Sequence, residues 1–79
     1  MNWRDHIDST PDVLGGKPRV AGTRLGVAFL LELFGAGWTH AQVLESYPHL
    51  TPQDLEAVFA FAAEAAEDVR LLPDHRPAA

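Results

Sequence analysis

Three of the chain's six Lys and Arg residues, Lys17, Arg19 and Arg24, fall within the fourteen residues LGGKPRVAGTRLGV (Leu14–Val27). Glycine-rich sequence with cations serves a phosphate cradle, a hairpin leading into a helix, or a docking surface for nucleic acid or protein. A phosphate-binding loop needs G-x-x-x-x-G-K-[ST], whose closing hydroxyl meets the metal ion. Here Gly16-Lys17 runs into Pro18, which brings neither a hydroxyl nor an amide donor, so that chemistry is excluded. Turn backbone accounts for Gly15, Gly16 and Gly22, and a brace or cap for the next helix accounts for Thr23. It does not account for the cations, because a turn needs no charge. Lys17, Arg19 and Arg24 are therefore assigned a contact role, toward phosphate oxygens or toward acidic side chains of a partner.

Other chemistry finds little support. The four histidines, His6, His40, His49 and His75, lack metal-ligand spacing such as H-x-x-x-H. The chain has no cysteine, which removes disulfides, thiolate nucleophiles and thiolate–zinc sites. Ser9 and Ser46 sit in no recognisable nucleophile elbow. No metal, cofactor or enzymatic activity is expected.

Charge is unevenly spread. Residues 1–24 hold four cations and three carboxylates, whereas residues 25–79 hold two cations and eight carboxylates, within a net charge of −5. Such segregation suggests two surfaces with different tasks and argues against a uniformly basic nucleic-acid glove. At 79 residues the chain is one domain whose core rarely supplies more than ~3–5 kcal/mol, so a partner or self-association is expected to add stability. No apolar run approaches the ~20 residues of a membrane span, and a cytoplasmic location follows as the default expectation.

The elements that must position these residues read as a short β element followed by helices. A strand around Arg4 to Asp8 and a second within KPRVA form a small pair, separated by the turn residues Ser9-Thr10-Pro11-Asp12. VAFLLELFGAG, from Val27, carries a single charge and is otherwise apolar on every side until Gly35 and Gly37 stop the helix. Its surface faces either its own neighbours or a second chain, and Phe29, Leu30, Leu33 and Phe34 are the candidate self-association residues. Thr39 and Gln42 have the form of a capping box, opening a helix that runs to about Ser46. Thr51-Pro52-Gln53-Asp54 opens a third, with Thr at the N-cap, Pro at the first position and an acid at the third.

At ~100° per residue the third helix gathers Leu55, Val58, Phe59, Ala62, Ala65, Ala66 and Val69 on one arc. Gln53, Glu56, Ala57, Ala60 and Glu64 fall on the exposed side, and the helix is expected to end near Leu72. Two capped helices joined by about four residues have the grammar of a helix-turn-helix. Thr51 and Gln53 would then face DNA beside Lys17, Arg19 and Arg24. The exposed arc carries no cation, so phosphate contacts would have to come from the basic loop, in duplicate from a dimer.

The segments STPDVLGGKPRVAGTR (Ser9–Arg24) and YPHLTPQDLEAVFAFAAE (Tyr47–Glu64), with the helix between them, resemble a bacterial family catalogued as domain of unknown function 433. Where that family usually has Pro after GTR plus an apolar residue, this chain has Gly26. The resemblance implies a mostly α, homeodomain-like or winged helix-turn-helix three-helix domain with a short N-terminal β element, over residues 1–72, followed by a tail at 73–79. It also implies the antitoxin half of a type II toxin–antitoxin module, which neutralises a PIN-like nuclease toxin and binds operator DNA for autoregulation. In the tail region, Arg70, Leu71, Leu72 and Arg76 are the candidate toxin-binding residues. Two alternatives stay open: a DNA-binding regulator without a toxin partner, and a purely structural dimerisation module.

Overall fold

The computed structural model describes residues 1–69. A 3-10 turn (Trp3–Asp5) leads into strand β1 (Ile7–Asp8), and a second turn (Leu14–Gly16) into strand β2 (Arg19–Val20). Helices α1 (Val27–Gly35), α2 (His40–Ser46) and α3 (Pro52–Glu67) follow. This is the expected three-helix domain with an N-terminal β element. The strands pair antiparallel, Ile7 opposite Val20 and Asp8 opposite Arg19. Strand alternation then decides the faces: Ile7 and Val20 are buried, while Asp8 and Arg19 meet on the outer face as an ion pair at 2.8 Å. The expected strand starts later than its sequence suggests. Arg4 and Asp5 belong to the 3-10 turn, held by the Asn2 side chain, which accepts the Arg4 amide.

Each helix boundary has a local cause. α1 ends where Gly37, at φ 97°, turns the chain left-handed; its N–H donates to Phe34 O and the Trp38 N–H to Leu33 O, closing a Schellman motif. Both anticipated capping boxes form. The Thr39 amide donates to Gln42 Oε1 at 2.8 Å and the Gln42 amide to Thr39 Oγ1 at 3.1 Å. Thr51 and Asp54 repeat the exchange at 2.9 and 3.1 Å, with Pro52 at the first helical position.

The core draws Ile7 and Val20 from the strands, Val27 and Leu30 from α1, and Val43 from α2. Leu50 and the α3 residues Leu55, Ala57 and Val58 complete it. Three expectations are corrected here. Leu30 is fully buried in the chain's own core, so it is not available for self-association: α1 packs on α3, and Leu30 belongs to the cluster shared with the strands and α2. Ala57, placed on the exposed arc, is fully buried, whereas Phe59, placed on the core arc, is 39% exposed. The N-terminal turn and β1 pack on α3 as a second neighbour and rotate its buried face toward them. Finally, α3 ends at Glu67, short of Leu72: Asp68 caps it, its amide reaching Ala65 O and Ala66 O. The last turns lie beyond the core, and a helix end without packing has only its weak intrinsic propensity to hold it.

Candidate functional site

The basic loop is cross-braced by hydrogen bonds. Val20 and Leu25 are joined by the Val20 amide donating to Leu25 O at 2.9 Å, which leaves Ala21–Arg24 as a tight connection with Gly22 at φ 78°. Thr23 locks it: its hydroxyl donates to Val20 O at 2.7 Å and accepts from the Leu25 amide at 3.0 Å. Arg19 grips the same loop, Nε donating to Asp8 Oδ1 and Nη1 to Thr23 O, both at 2.8 Å. In GTR, then, the glycine turns the chain, the threonine ties the turn, and Arg24 is left standing on it.

The preceding LGG segment places three successive residues at positive φ: Leu14 at 53°, Gly15 at 63° and Gly16 at 84°. For Leu14 that conformation is costly, and it aims the side chain back over Gly26. A Cβ at Gly26 would lie 3.1 Å from Leu14 Cδ1, so the missing side chain is what makes room for Leu14.

Between this loop, the start of α1, Tyr47 and Phe61 lies an apolar groove of about 720 Å³. Leu14, Leu25, Phe29, Tyr47 and Phe61 are among its walls, and Phe29 meets Tyr47 edge-on at 5.9 Å between ring centroids. Lys17 and Arg24 stand on its rim. Both are exposed, and neither enters an ion pair among the described residues. Arg24, Leu25 and Tyr47 also line an adjoining depression beside His49, so they form the ridge between the two.

The structure sorts the anticipated contact residues. Lys17 and Arg24 are free at the rim. Arg19 is not: its guanidinium is spent on Asp8 and Thr23, because the turn does need a cation here. Thr51 is occupied as the α3 cap, and Gln53 is exposed beside it. Of the proposed self-association residues, Phe29 reaches the groove at 40% exposed and Leu33 is half-buried. Phe34 instead stacks against His40 and Phe59, at 4.9 Å from each. Arg70, Leu71, Leu72 and Arg76 lie outside the described residues. Sequence reasoning missed Leu14, Leu25, Tyr47 and Phe61 as groove walls; the aromatic of YPHL beside a break was the one available signal.

The far side of α3 is held by charge. His6 Nδ1 lies 2.9 Å from Asp54 Oδ1, and both side chains are half-buried. Burial works to raise the Asp54 carboxyl, but the Thr51 amide and the His6 and Thr51 side chains outweigh it and hold the group below its ordinary value. Glu64 is held low chiefly by the Trp3 indole N–H, with Arg4 adding to it against a smaller opposing effect of burial. Trp3 meets Phe61 edge-on at 4.9 Å, so this pairing supports the groove's α3 wall from behind. Among the described residues no three His, Asp or Glu side chains converge on a metal position, and no helix is long and apolar enough to cross a membrane.

A protein of the same architecture is the DUF433 member from Anabaena variabilis, whose crystal structure matches with a TM-score of 0.76 at 33% identity. The match covers 81% of this chain and 63% of that one. The uncharacterized protein y4eO of Sinorhizobium fredii is 34% identical over 59 residues, 75% of this chain; the matched region spans about a quarter (27%) of that relative's length. The family described as "Protein of unknown function (DUF433)" matches residues 7–62, which take in the whole basic loop, all of α1 and α2, and α3 as far as Ala62. The chain belongs to the DUF433 family.

Proposed function

We propose that this domain is an antitoxin: it binds and neutralises a PIN-like nuclease toxin by occlusion, with no chemistry of its own. The observation that carries the reading is the open apolar groove with Lys17 and Arg24 free on its rim. A metabolite pocket fixes its ligand with converging polar groups. This groove has an apolar floor and a cationic edge, which suits an apolar segment of another protein flanked by carboxylates. A metal-dependent nuclease concentrates carboxylates at its centre, and two cations on a braced loop are suited to engage them. The bracing by Arg19 and Thr23 supports the same reading, since a preorganised surface loses less ordering entropy on binding.

The test is co-purification with the protein encoded by the neighbouring gene, followed by an RNA-cleavage assay. Wild-type chain is expected to bind and silence that protein. The double variant Lys17→Glu/Arg24→Glu is expected to lose both effects while keeping its helical circular dichroism. Undiminished inhibition by the double variant refutes the assignment. A gel shift on the upstream DNA, with affinity falling steeply as salt rises, would instead favour a DNA-binding regulator.

A further inference from the structure

We infer that the depression beyond the Arg24 ridge is a binding site for a phosphate monoester, the terminal phosphate of a small organic molecule. Residues from two turns line it. One is the braced segment 21–25, and the other is 47–50, closed by the Leu50 amide donating to Tyr47 O at 2.9 Å. They bring Arg24, Tyr47 and His49, and no carboxylate among the described residues, to a space of about 560 Å³. Arg24 and His49 are exposed and Tyr47 is half-buried. Among the described residues none of these three side chains enters a hydrogen bond or an ion pair. The Gly22 and Arg24 amides are also unengaged there, whereas the Ala21, Thr23 and Leu25 amides all donate within the fold.

A guanidinium, a phenol O–H and an imidazole N–H are all donors that an oxyanion accepts from. Unspent amides beside a left-handed glycine, Gly22 at φ 78°, add the partial positive charge of an anion-binding loop. The number and placing of these donors select the ligand. A carboxylate offers two coplanar oxygens, which one guanidinium fork already satisfies. Donors on two separate turns suit a head with three diverging oxygens and nearly two negative charges, as a phosphate monoester has. A nucleic-acid backbone would bring phosphodiesters in series, and Arg24 is the one Lys or Arg on the depression's lining among the described residues. The volume is that of a small-molecule site, and Leu25 with the Tyr47 ring, held edge-on by Phe29, gives the organic part an apolar wall. The inference stands on the depression and not on the nuclease proposed above.

A proton–nitrogen correlation NMR titration of the full chain with inorganic phosphate and with phenyl phosphate tests it. Saturable shifts at Gly22, Arg24 and His49 are expected, with a Kd on the order of 1 mM or below for phenyl phosphate. Benzoate, a carboxylate on the same ring, should bind more weakly. Arg24→Ala should weaken phenyl phosphate binding by about tenfold or more, and His49→Ala and Tyr47→Phe by about three- to tenfold each. Tyr47→Phe keeps the ring that meets Phe29 and removes only the hydroxyl, so its loss is not one of folding. Shifts that do not saturate, benzoate binding as tight as phenyl phosphate, or affinity indifferent to the three variants overturn the inference. A response to duplex DNA with none to either small phosphate overturns it as well. The functional proposal stands or falls separately, on co-purification and RNA cleavage.

Discussion

Replacing Asp54 separates two contributions that one carboxylate makes. Oδ2 accepts the Thr51 amide and closes the α3 capping box, while Oδ1 faces the His6 ring at 2.9 Å. Asp54→Ala removes both. Loss of a cap contact costs about 1 kcal/mol, loss of the half-buried bond to His6 about another 1, and loss of the charge at the helix N-terminus a fraction more. A total of about 2–3 kcal/mol would lower Tm by roughly 10–20 °C in a domain of this size. Asp54→Asn keeps an oxygen for the Thr51 amide but not the charge, and should cost about 1 kcal/mol at neutral pH. The pH dependence follows from the direction of the Asp54 shift. A carboxyl held below its ordinary value stabilises the fold above its unfolded pKa, and that contribution disappears as pH falls through the folded value. The gap between wild type and Asp54→Asn should therefore close below about pH 4. Urea titrations read by circular dichroism across that range decide it. A gap that persists or widens in acid refutes the assigned role.

Leu30→Ala empties a fully buried position and should cost about 2–5 kcal/mol, close to the whole stability of so small a domain, so its cooperative urea transition should be largely lost. Gly26 sits at φ −73°, ψ 147°, and the ladder bonds around it run from Val20 and Val27, so Gly26→Pro fits the backbone. With only the flexible end of Leu14 to displace, it should stabilise by about 0.4–1 kcal/mol; a fall in urea midpoint would refute this. Arg19→Ala frees both Asp8 and Thr23 and should cost about 1–2 kcal/mol, with faster amide exchange at Thr23 and Leu25. Unchanged exchange there would show that Arg19 does not brace the loop.

Local chemistry was legible wherever it acts within a few residues. Thr39 with Gln42, Thr51 with Pro52 and Asp54, and the glycines after α1 announced the helix boundaries, because caps are made between near neighbours in the chain. Periodicity failed on α3 for a reason it cannot see. It finds one stripe, while this helix has neighbours on two sides, so Ala57 is covered and Phe59 is not. Arg19 looked like a free cation because its partners, Asp8 and the Thr23 carbonyl, come together only when the strands pair. The groove was hidden for the same reason: Leu14, Phe29, Tyr47 and Phe61 share no motif, and the left-handed backbone that aims Leu14 leaves no trace in its residue type.

The clasp between the first turn and α3 also dictates when this molecule can exist. Trp3 and Arg4 meet Glu64, and His6 meets Asp54, across separations of 48 to 61 positions. Closing so long a loop is entropically slow, and the nearer contacts, the strand pair and the helix caps, leave α3 undocked. Until α3 packs, Ile7 and Val20 have no roof, and Phe29 and Tyr47 have no opposing wall. The groove wall that Phe61 provides is thus in place only once the longest-range contacts of the fold have formed.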